Sequence, residues 1–156
     1  MTYLYGIIIG LHTLGAVIWV GGMFFTVVIL RPSLAGIAAP ERLALWRAVL
    51  PTFFRWVAVA VLVLLATGLG ALHLYHGGLL GGGPHVDLMM LFGLAMVILF
   101  LYVVALPWRG FKAALAAGDL AAAADRLERI RAVVGTNLGL GLATAFIGAA
   151  GTFLGH

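Results

Sequence analysis

The sequence predicts an all-α integral membrane protein: a four-transmembrane-helix bundle with both termini on the periplasmic side. Three observations carry this expectation. Of the 156 residues, 64% are hydrophobic and only 9% charged, whereas soluble domains carry about 25% charged residues. The apolar residues fall into four runs of about 20 residues or more, each long enough to cross a bilayer as a helix. Finally, all 9 Lys and Arg residues lie in or beside two of the intervals between those runs.

The first span is expected over about 6–30, ending at Arg31-Pro32, with His12 as its one strongly polar side chain. The second covers about 56–75, the third about 86–108 and the fourth about 132–154. In hydrocarbon every backbone polar group must be satisfied within the segment, so these runs are helices. Tyr3, Tyr5, Trp56, Tyr75 and Trp108 fall at the expected interfaces, where amphipathic rings belong. No basic stretch precedes the first run, which exceeds a signal-peptide core and is expected to remain as a span. The chain is expected to form one membrane domain, 1–156.

Orientation follows from charge. The interval 31–55 carries Arg31, Arg42, Arg47 and Arg55; the interval 109–131 carries Arg109, Lys112, Arg126, Arg129 and Arg131. The positive-inside rule makes both intervals cytoplasmic loops and sends the two termini outward. Within 109–131, an Ala-rich surface helix is expected over about 111–131. A net charge of +4 in these loops is an orienting signal, and nucleic acid is not an expected partner. Gly6 with Gly10, Gly135 with Gly139, and Gly151 with Gly155 have the spacing of close helix contacts and admit a homo-oligomer.

Counting along the helices places the candidate chemistry. His12 is 19 residues from Arg31 and His73 is 18 from Arg55, which puts both roughly 27–28 Å from the basic end. Met89 comes out at roughly 30 Å, His76 lies one turn beyond His73, and His85 one turn beyond Met89. All five histidines, His156 included, thus converge on the outward end. With no cysteine present, a metal site must use imidazole, thioether, carboxylate or backbone, and a His/Met set suits copper. A histidine inside a span is a functional candidate by default. The plainer reading is that His12 bonds a carbonyl or a Thr, that His76 and His85 are wet loop residues, and that Met89 fills the core.

The run GLHTLGAVIWVGGMFF (10–25), with LHxxGxxxWxGG from Leu11 to Gly22, resembles the opening helix of the CopD copper-resistance family. The likeness continues in Arg31-Pro32, HVDLMMLFGLAMVILF from His85, and RLERIRAVVGTNLGLGL (126–142). It implies a bacterial inner-membrane protein that handles copper, with His12 matching the family's first-helix histidine. The HemJ-like membrane proteins share a similar histidine and are linked to haem and porphyrinogen oxidation. Where they carry a lysine and a further histidine, this chain has Asp87 and no histidine from 88 to 108, which argues against that oxidation and leaves haem binding.

Three functions are therefore expected in order. The first is a copper-handling protein with His12, His73, His76, His85 and Met89 as metal ligands and a periplasmic copper protein as partner. The second is a b-type cytochrome, in which His12 and His73 hold haem b, Gly15 and Gly70 leave room for the ring, and electrons pass to quinone or a periplasmic partner. The third is a structural subunit. Enzymatic activity, if any, would be that of a haem-dependent oxidoreductase.

Overall fold

Uninterrupted apolar sequence with no strand-like alternation folds as helix, and the chain does so throughout. A computed structural model describes residues 2–75, 77–78 and 81–154, without the side chains of 152–154. Helix α1 spans Thr2–Phe24 and passes through a π-helical turn, Phe25–Leu30, into the short α2, Arg31–Ser33. Then follow α3 (Ala39–Tyr75), α4 (Pro84–Ala105), α5 (Pro107–Ala116) and α6 (Leu120–Leu154). No strand occurs among the described residues. Four stretches, Thr2–Ser33, Ala39–Tyr75, Pro84–Ala116 and Leu120–Gly151, are long and apolar enough to cross a membrane.

The helices run well past the expected spans. Most of 31–55 belongs to α3, which starts at Ala39. Leu43, Trp46, Leu50 and Phe54 recur at helical spacing and are buried with Val103, Trp108, Phe111, Leu127 and Ile130 in one core. The arginines that mark this stretch as a loop are the outer edge of an amphipathic helix. The expected surface helix over 111–131 is instead two helices that turn at Gly118, whose φ is +72°. Asp119 Oδ1 caps the second of them, accepting from the Ala122 amide at 2.9 Å. Neither piece lies loosely on the surface, since Phe111 and Ala123 are fully covered.

The π turn has a local cause. A proline ring inside a helix meets the carbonyl four residues back, which for Pro32 is that of Val28. The widened turn lets the Arg31 amide donate to Thr26 O, five residues earlier. Thr26 is buried there, its hydroxyl donating to Gly22 O at 2.7 Å and facing Met23 O at 3.0 Å.

Two antiparallel pairs make the bundle. In α1 and α3 the register runs from Tyr5 against Tyr75, ring centroids 4.5 Å apart, through His12 at Thr67, to Gly22 under Phe53. In α4 and α6, Met96 meets Gly141, Met89 meets Gly148 and His85 meets Gly151. Val20 and Met23 of α1 also close on Gly141, so α6 joins the pairs. The Thr2, Tyr75, Pro84 and Gly151 ends therefore lie together at what is here the open end. The opposite, basic end carries the 9 cations.

Burial is uneven along this axis. The basic end holds the aromatic core just described, and mid-bundle Trp19, Met23, Val57, Ala60, Val61, Met96 and Leu138 form a second one. Toward the open end of α1, Tyr3, Leu4, Ile7, Ile9, Leu11 and Leu14 are exposed. Apolar side chains on the outside are what a lipid solvent favours.

Candidate functional site

His12 is held by α3. Its Nδ1 lies 2.9 Å from Thr67 Oγ1, while the Thr67 hydroxyl donates to Val63 O at 2.6 Å. With that proton spent, Oγ1 serves as acceptor and His12 Nδ1 carries the hydrogen. The ring is also within hydrogen-bond reach of the Leu64 carbonyl; with the hydrogen on Nδ1, the lone pair of the neutral ring lies on Nε2. Metal-binding histidines are fixed in this way, one ring nitrogen donating to a protein oxygen while the other ligates. Gly68 makes room for the ring, since a Cβ there would sit 3.2 Å from His12 Cε1.

His73 takes no part in this contact. It follows Gly68 by five residues, which turns it about 140° around α3, and its side chain is exposed. Residue counting puts the two histidines level, but the register of Tyr5 on Tyr75 and His12 on Thr67 sets His73 about six residues, roughly 9 Å, nearer the open end and on a different face. Gly15, expected to leave room for a macrocycle, is closed by Leu64 Cγ, 3.1 Å from where its Cβ would be, while Gly70 faces open space. His76 and His156 lie outside the described residues.

A second group of donors sits on α4. His85 and Met89 are one turn apart and both press on glycines of α6. A Cβ on Gly151 would come 2.6 Å from His85 Cβ, and one on Gly148 would come 2.9 Å from Met89 Cε and 3.3 Å from Met89 Sδ. Only glycine admits such an approach. Both side chains remain half-buried rather than sealed. Asp87, about 200° around the helix from His85, has Oδ1 buried without a hydrogen-bond partner. Among the described residues, no three His, Asp or Glu side chains gather in a group able to hold a metal. His12 and the His85/Met89 pair are separate donors on opposite halves of the bundle.

Deeper in the bundle, Met96 Cε and Met23 Cε lie 3.1 and 3.5 Å from the Cβ position of Gly141. Asn137, one turn below, donates from Nδ2 to Met96 O at 3.3 Å, the interhelical bond expected of a polar side chain in a span.

Thr67 and Gly68 were not among the residues picked out from sequence. A threonine within two turns of His73 was the available signal. Choosing Thr67 over His73 as the partner requires knowing which face of α3 meets α1. No family model, curated protein or solved structure matches the chain.

Proposed function

We propose that the chain is a copper-handling membrane protein, with His12 Nε2 as an imidazole ligand and His85 with Met89, on the other helix pair, as a separate imidazole–thioether pair. The observation that supports it is the contact of His12 Nδ1 with Thr67 Oγ1, whose own hydrogen goes to Val63 O, a geometry that favours a lone pair on Nε2 toward the same open end as His85 and Met89. Thioether sulfur and neutral imidazole, without thiolate, are a donor set suited to Cu(I). In this reading the membrane is a bacterial inner membrane and the open end faces the periplasm, because the cations all lie at the other end. His73 and His76 belong to the approach. Copper supplies the redox-active, soft-acid chemistry; the chain contributes orientation of its imidazoles and apolar shielding.

Haem b is the second reading. It draws on the same Nε2 lone pair, yet an axial pair from His12 and His73 requires convergence, and His73 lies on an exposed, rotated face. Gly15 is also occupied by Leu64.

Detergent-purified protein, titrated with Cu(I) against a chromophoric chelator, tests this. His12→Ala is expected to abolish the tight site, and Met89→Leu to weaken binding without unfolding the protein. Unchanged stoichiometry and affinity in both variants would overturn the reading. A sharp α-band in the dithionite-reduced minus oxidised spectrum would transfer the site to haem.

A further inference from the structure

The basic end contains a cleft that the copper reading does not use. Where the π turn meets α3 and α6, a cavity of about 20 Å³ is lined by Thr26, Arg31, Trp46, Phe53, Arg131 and Val134, among others. Two of these residues carry buried polar atoms without a partner: Trp46 Nε1 and Arg131 Nε. Trp46 is only 3% exposed, so water outside the bundle does not satisfy its N–H. A buried donor left unmade costs about 1–3 kcal/mol, and both donors belong to residues that border this cavity, whose own walls are almost wholly apolar.

Charge narrows the acceptor. Glu128 pairs with Arg131 through one oxygen and with Arg31 through the other, the latter at 3.5 Å. Two guanidiniums thus share one carboxylate, leaving a positive charge at the cleft. The Arg131 guanidinium also lies over the Trp46 ring, 5.3 Å from its centroid. The other walls include Val27, Leu50, Phe53 and Val134, and beside them Val28 and Ile29 are exposed on the outer surface of the bundle. An occupant must offer an anionic oxygen to the cations and a hydrocarbon chain to the apolar wall.

We infer that this cleft is a headgroup site for an acidic phospholipid, its phosphate facing Arg31 and Arg131 and an acyl chain lying along the π turn. Basic pockets between transmembrane helices are where such headgroups bind. A free phosphate would gain nothing from the apolar wall, and a water would leave the charge unanswered. The inference needs the chain to sit in a bilayer and is independent of copper.

Native mass spectrometry of the delipidated full chain tests it, titrating phosphatidylglycerol, phosphatidylcholine with the same acyl chains, and inorganic phosphate. The expected result is about tenfold tighter binding of phosphatidylglycerol than of phosphatidylcholine, which offers the same phosphate but adds a choline cation that the excess guanidinium charge repels. Trp46→Phe keeps the ring and removes the N–H, and Arg131→Gln removes the charge. Each is expected to weaken phosphatidylglycerol about five- to tenfold, with helicity and melting checked alongside. Equal affinity for the two lipids in the unmodified chain overturns the proposal without reliance on any variant. Displacement of the lipid by millimolar phosphate would make the site one for a free anion. Unchanged lipid binding in a folded Trp46→Phe would leave only a buried water.

Discussion

The two ends of the bundle are built from opposite materials. At the basic end, Trp108 packs 5.6 Å from Phe54 and 5.7 Å from Phe111, ring to ring, and Phe111 is completely covered. At the open end, helices approach through glycine: His12 over Gly68, Met89 over Gly148, His85 over Gly151. Aromatic cores place a large buried area on few residues. Glycine contacts contribute less area and admit side chains carrying lone pairs close to a neighbouring backbone. One end thus supplies most of the rigidity, and the other can devote its few inward side chains to ligands. The separation permits chemistry without undermining the fold.

Several substitutions break or sharpen this contrast. Phe111→Ala should cost the most, about 3–5 kcal/mol from the cavity it leaves. It should lower the melting temperature while the folded fraction keeps its copper affinity; a parallel loss of affinity would mean that the ends are not independent. Gly151→Ala places a methyl against His85 Cβ and should cost about 1–3 kcal/mol by overpacking. Copper affinity should fall with it, and a melting curve and chelator competition indistinguishable from the parent would count against the close contact. Thr67→Val removes the oxygen that orients His12, for an expected 10- to 100-fold loss of metal affinity. Asn137→Leu is the smallest, about 0.6 kcal/mol for an interhelical bond in a membrane, read by denaturant titration with copper affinity unchanged.

Much of this was legible from sequence, unevenly. The four apolar runs mark four helices because hydrocarbon length and backbone satisfaction leave no alternative. The extension of α3 back to Ala39 was hidden by Arg42, Arg47 and Arg55, although Leu43, Trp46, Leu50 and Phe54 carry the helical period. Counting from Arg31 and Arg55 pairs His12 with His73, whereas the bundle pairs it with Thr67, because α3 begins at Ala39 and Arg55 lies inside it rather than at its end. Facing depends on which helix packs where, and nothing in one sequence fixes that. The glycines make the same point. Gly6, Gly10, Gly135 and Gly139 have the right spacing and face open space, whereas Gly15, Gly68, Gly141 and Gly148 make the close approaches. Gly151 does both, and its spaced partner Gly155 lies outside the described residues. Spacing finds helices that can approach closely; it does not find the neighbour.

The π turn at Phe25–Leu30 sets angular phase. Two clamps hold the first span, His12 on Thr67 near one end and Arg31 on Glu128 at the other. Each residue of α-helix advances the face by about 100°, so a regular helix joining the clamps admits only certain whole-number lengths. The turn absorbs one surplus residue. Deleting one residue inside 25–30 should therefore remove the surplus residue with both clamps still engaged, leaving Pro32 to meet the carbonyl four residues back. The same deletion within 13–24 should swing His12 about 100° away from Thr67, so the two deletions, equal in composition, should differ in whether copper binds.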